Sequence, residues 1–127
     1  MYLVNLGESM LQKRKFEKLL MEAIDEGLFS VGESPRRAIY FHLEKSFDIR
    51  KEDIPKKIEV FEDAIEKIFG FGADFLEVLI MKRLYEKIGG VFELEEASDF
   101  AFSEYVNAVK RHLLDKGNSE WVVEAAQ

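Results

Sequence analysis

Cysteine is absent from this chain of 127 residues. Its absence excludes thiol nucleophiles, disulfide scaffolds and cysteine-built zinc clusters, and agrees with a reducing compartment. Proline occurs twice, and Asn and Gln together five times (Asn5, Gln12, Asn107, Asn118, Gln127). No apolar run approaches the roughly 20 residues of a membrane helix. The opening MYLVNLGESMLQKRK has too short an apolar stretch for a secretory signal. We therefore expect a cytoplasmic protein that does not engage a membrane. The polar–apolar alternation of half-buried strands is also missing.

What the chain does contain is apolar mass and charge. Hydrophobic residues make up 47%, with eleven Phe, and a chain of this size buries roughly two-thirds of its unfolded surface without a metal or disulfide staple. We expect one domain over residues 1–127. Charged residues are 34% of the chain; with so few side-chain amides, this is a bias common in thermophile proteins. The net charge of −7 divides into −2 over residues 1–34, zero over 35–72 and −5 over 73–127. An acidic field of this kind repels nucleic acid and anionic lipid.

The apolar spacing is helical nearly throughout. Over residues 10–26, Phe16, Leu19, Leu20, Ala23 and Ile24 share one face, and Gly27 predicts a helix stop. Ser34 reads as an N-cap with Pro35 at the first helical position. Ile39, Leu43 and Phe47 then form a stripe, while Phe41 points the other way, towards a second partner or a subunit interface. DIRKEDIP reads as a linker, with Pro55 pushing Ile54 into extended geometry. From Lys56 onward Ile58, Phe61, Ile65, Ile68 and Phe69 share a face, opposite a solvated acidic face of Glu59, Glu62, Asp63 and Glu66.

In the helix that follows, Phe75, Leu76, Leu79 and Ile80 lie on one side, and Met81, Leu84, Tyr85 and Ile88 on nearly the opposite side. Residues 73–88 are therefore expected to form a central helix with different neighbours at its two ends. Gly89-Gly90 stops it. VFELEEASDF reads as a loop or helix lead-in. A last helix, starting near Ser98 and ending at Gly117, presents Phe102, Tyr105, Val106, Val109 and Leu113. The expected fold class is all-α, a compact bundle of about five helices. Residues 118–127 form a tail that docks or swaps.

The most distinctive stretch is FGFGAD, residues 69–74. Gly70-Phe71-Gly72 has the glycine–hydrophobic–glycine form of the hairpin in helix-hairpin-helix DNA-binding modules. There, glycines let backbone amides approach a phosphate at a helix N-terminus. In that reading Gly70, Gly72, Lys82 and Arg83 contact phosphate. Asp74 and Glu77, however, follow the turn and repel an anion. The plainer reading is an elbow between two helices, with Phe71 as a buried plug.

Other chemistry is sparse. Neither His42, with Ser46 at i+4, nor His112, with Ala108 and Asp115 around it, makes a metal-ligand cluster, and His112 is expected half-buried beside its apolar stripe. P-loops, Asp-x-Asp metal loops, Gly-x-Ser-x-Gly elbows and His-Glu-x-x-His are missing. Arg36-Arg37 with Arg50, Lys51, Lys56 and Lys57 make a small basic patch, interleaved with Glu44, Asp48, Glu52 and Asp53. No catalytic residue, cofactor or metal ligand is assigned.

Residues 34–89 resemble a small archaeal helical family of unknown function, found alone or fused to signalling modules as an output domain. The features that carry the resemblance are Arg37 to Tyr40 with His42-Leu43-Glu44, and Asp53-Ile54-Pro55. They continue with Ala64-Ile65, Ile68-Phe69-Gly70, Gly72-Ala73 and Leu84-Tyr85-Glu86-Lys87. The resemblance implies regulation or interaction and brings no catalytic residues with it. The leading expectation is a non-enzymatic interaction or regulatory domain with a protein partner, self-associating as a homodimer. Its interface is expected to use Phe41, Leu114, Trp121, Val122 and Val123. The alternatives are a nucleic-acid-binding module built on the glycine turn, and a helical enzyme or small-ligand carrier.

Overall fold

The computed structural model describes residues 2–89 and 101–115, with side chains from Met10. It contains five α-helices among the described residues: α1 (Tyr2–Phe29), α2 (Glu33–Phe47), α3 (Ile58–Phe69), α4 (Ala73–Lys87) and α5 (Phe102–Asp115). Two 3₁₀ turns, Lys51–Lys56 and Gly70–Gly72, link α2 to α3 and α3 to α4. No strand occurs among the described residues, so the all-α bundle holds. One hydrophobic core draws on all five helices. α4 packs against α1, α3 and α5, the central place expected of it. Residues 91–100 and the tail 118–127 lie outside the described residues.

Gly27 does not stop α1. The helix continues through it to Phe29, and Gly27 is a point where α1 packs tightly against α4. A Cβ there would sit 2.6 Å from Ile80 Cγ1 and 3.4 Å from the Ile80 backbone. Lys87 reaches Glu26 at 2.8 Å and Glu22 at 3.8 Å. Residues later in α4 thus meet residues earlier in α1, and the two helices run antiparallel.

α2 begins at Glu33, two residues before Pro35, behind Gly32 at φ 118°. Proline remains in the first turn, where no intrahelical partner awaits its missing amide hydrogen. Asp48 closes α2 at φ 53°, and the Ile49 amide donates to the Leu43 carbonyl. The linker is not extended: Pro55 lies within the 3₁₀ turn, and Ile54 is fully buried. A 3₁₀ turn accepts proline's fixed φ, and the burial of Ile54 anchors the segment under α1.

The buried face of α4 also differs from the two opposed sets read in the sequence. Ala73, Leu76, Glu77, Ile80, Met81 and Leu84 form one wide buried stripe, and Phe75 is 66% exposed. The three neighbours of α4 wrap one broad sector rather than opposite sides.

Candidate functional site

The α3–α4 elbow is the most unusual surface of the molecule. Gly70 has φ 57° and ψ −125°. Only glycine adopts this region readily. A Cβ at Gly70 would meet nothing within 4 Å, so the constraint lies in the backbone and not in space. The chain then re-enters right-handed geometry at Gly72 (φ −70°, ψ −15°) and Ala73 (φ −60°, ψ −38°). Phe71 lies in the 3₁₀ turn, and Phe75 and Val78 follow it four and seven residues on, in the first two turns of α4.

Phe71 is not a buried plug: it is fully exposed, at 101%. The reversal at Gly70 leaves its side chain uncovered by any other described element. Phe75, Val78 and Phe69 are exposed beside it. Four apolar side chains thus cap one end of the hairpin. They sit on a rigid frame, because Phe61, Ile65, Ala73 and Leu76 behind them are buried.

The same geometry offers little to a phosphate. The Ala73 amide already donates to the Gly70 carbonyl. Asp74 occupies the first turn of α4. Lys82 and Arg83 are ten or more residues beyond Gly72, about 15 Å along the helix axis, and Arg83 pairs with Glu86 at 3.4 Å. The structure does not bring Gly70, Gly72, Lys82 and Arg83 together.

Of the expected interface residues, Phe41 is 58% exposed on the outer side of α2. His42 lies edge-on to its ring and Lys45 lies over it. Leu114 is half-buried in α5. Trp121, Val122 and Val123 lie outside the described residues. Phe71, Phe75 and Val78 were not among the expected interface residues. Their signal in the sequence was the i, i+4, i+7 spacing itself, offset from the buried stripe.

Arg36, Arg37 and Lys51 of the basic patch form local pairs, while Arg50, Lys56 and Lys57 are exposed. Arg36 binds Asp25 through Nη1 at 2.9 Å and Glu33 through Nη2 at 2.8 Å. Arg37 joins Glu33, Lys51 approaches Asp25 at 3.5 Å, and the Tyr40 hydroxyl donates to Asp25 at 2.8 Å. Burial raises the pKa of Asp25, but the Tyr40 hydrogen bond and the Lys51 and Arg36 charges outweigh it and hold the carboxyl below its ordinary value. An open cleft of about 350 Å³ beside this network is lined by Asp25, Glu26, Phe29, Ser30, Arg36 and Arg83. Its two cations and two carboxylates balance.

The acidic face of α3 is not simply solvated. Lys67 pairs with Asp63 there, but Asn107 of α5 donates to Glu59, and Ser103 donates to both carboxylate oxygens of Glu62. One carboxylate oxygen from each of Glu62, Glu66 and Glu77 lies within 4.8 Å of the others. Glu77 is only 5% exposed, and its Oε2 has no hydrogen-bond partner. Burial, then the charges of Glu62, Glu66 and Asp74, push its pKa up to about 7.

Among the described residues no helix is long and apolar enough to cross a membrane. Comparison of the chain with protein-family models, curated proteins and solved structures finds no match.

Proposed function

We propose that this chain is a non-enzymatic helical interaction domain of the regulatory, output type, and that it self-associates through the α3–α4 tip. The observation that carries the reading is Phe71, fully exposed in the turn before α4, with Phe75 and Val78 exposed on the first two turns of that helix. An exposed apolar cluster of this size on a charged surface marks an interaction site.

The occupant is a second copy of the chain. Phe69, Phe71, Phe75 and Val78 together expose on the order of 450 Å². A two-fold pair buries about twice that from these side chains alone, which approaches the lower bound of a specific interface once a polar rim is added. The resemblance read in the sequence over residues 34–89 agrees with this reading.

Light scattering behind size exclusion tests it. The wild-type chain at tens of micromolar is expected to elute at twice its 14.8 kDa mass. Phe71→Ser with Phe75→Ser is expected to elute as a monomer with unchanged helical content, because neither ring supports the core. A strictly monomeric wild type, or a dimer indifferent to the double change, overturns the proposal. If the dimer instead fails on Trp121→Ser and survives the tip variant, the tail is the interface.

A further inference from the structure

We infer that Glu62, Glu66 and Glu77 form a binding site for a hard divalent cation of the Ca²⁺ or Mn²⁺ class, independent of the self-association reading. Three features support this. First, the carboxylates converge from two helices. Glu62 and Glu66 stand one turn apart on α3, and Glu77 faces them from α4. Two oxygens on one ion are separated by at most twice the metal–oxygen distance, about 4.6–5.2 Å for Ca²⁺. The separations here, all within 4.8 Å, are close to that span, and a small rotation of the exposed Glu66 brings the three oxygens onto one ion.

Second, Glu77 occupies the buried stripe of α4, between Leu76 and Ile80, where burial favours an apolar side chain. Glu77 is more than nine-tenths buried, one of its carboxylate oxygens lies within 4.8 Å of an oxygen from each of the other two acids, and its Oε2 is unpartnered. A buried polar atom without a protein partner is rare and costly, and binding an ion is one recognised way to satisfy it. No Lys or Arg among the described residues pairs with any of the three acids; the nearest α3 ion pair is Lys67 with Asp63. A cation would supply the missing counter-charge.

Third, Glu62 is pre-oriented. The Ser103 hydroxyl donates to its Oε1 at 2.8 Å and the Ser103 amide to its Oε2 at 3.2 Å. A carboxylate keeps lone pairs free after two such bonds, and outer partners of this kind hold ligands in place. Glu66 is exposed, so the site has a path to solvent, and water can complete the coordination. An all-oxygen set without imidazole or thiolate selects hard cations over zinc or copper.

The test is a titration of the EDTA-treated full chain with Mn²⁺ or Ca²⁺, read by isothermal calorimetry, by the Mn²⁺ electron-spin signal and by thermal melting. A three-carboxylate site open to water on one side is expected to bind in the ~0.1–1 mM range and to raise Tm by a few degrees at millimolar cation. Glu77→Gln and Glu66→Gln are each expected to weaken binding by about tenfold or more. Asp63→Asn, on the same helix but outside the cluster, is expected to bind as wild type. If Glu77→Gln does not fold, the exposed Glu66→Gln decides the matter. No Mn²⁺ or Ca²⁺ binding at millimolar concentration, or binding that survives Glu77→Gln or Glu66→Gln, overturns the inference.

Discussion

Glu77 shows how one residue's meaning depends on what packs against it. In the sequence it is one acid among many, four residues after Ala73 and three before Ile80. Only when α3 is placed beside α4 does it become a buried carboxyl facing two others. The periodicity held a usable sign: Glu77 falls inside the stripe of Ala73, Leu76, Ile80 and Leu84, where a charge is unexpected. Its pKa is raised to about 7, against an ordinary value of about 4.3. The folded state therefore binds a proton that the unfolded chain has already lost. Its contribution to stability is complete below pH ~4, declines as pH rises, and is gone above pH ~7. In EDTA, Glu77→Gln removes the buried charge and leaves a neutral amide that can donate to Glu62 or Glu66. The variant is expected to be more stable than wild type by roughly 1–3 kcal/mol at pH 8, and nearly equal at pH 4.5. Urea melts at the two pH values check this; equal gaps at both would contradict it.

At the scale of the element, the helices and their stripes were readable because burial follows the 3.6-residue period. The five α5 positions chosen by spacing, Phe102, Tyr105, Val106, Val109 and Leu113, are all buried. Boundaries and local exposures were less legible, since they depend on partners distant in sequence. Gly27 carries the usual signature of a stop, yet its role is contact with Ile80, 53 residues further on. Replacing it tests that role. Alanine in a helix interior normally gains about 1 kcal/mol over glycine. At Gly27 the added methyl would overlap Ile80, which is fully buried and cannot swing aside. Overpacking of this kind costs about 1–3 kcal/mol, so Gly27→Ala is expected to be neutral to destabilising by up to about 2 kcal/mol. A gain of about 1 kcal/mol in a denaturant melt would show that α1 and α4 are not in close contact there.

The same dependence explains the elbow. Gly70-Phe71-Gly72 announced a reversal, and the reversal is present. Which way Phe71 pointed was not legible, because a ring at the end of a hairpin is buried only if some other element covers it. Phe75 likewise has the helical spacing of a core residue, with no helix among the described residues covering it. For the binding surface, then, the residue pattern gave the frame, and the arrangement of neighbours decided what was left outside.

For the molecule as a whole, net charge and apolar surface act in opposition. Two copies carrying −7 each repel, while the exposed tip attracts by burial. Added salt screens the repulsion and leaves the apolar term intact, so self-association is expected to tighten from low salt to about 0.3 M. Sedimentation equilibrium reads this directly, and weakening with salt would point to an interface held by ion pairs instead. The chain's lack of cysteine makes a sharper measurement available, because a single introduced thiol is a unique labelling site. In a two-fold dimer joined at the tip, a spin label at Asp74→Cys lies close to its own symmetry mate. A label at Glu86→Cys lies twelve residues further along α4, about 18 Å from the tip along the axis. Electron-spin dipolar distances are predicted to be short for Asp74 and clearly longer for Glu86. A shorter distance at Glu86, or no dipolar coupling at Asp74 at a concentration where the dimer forms, would contradict association through Phe71.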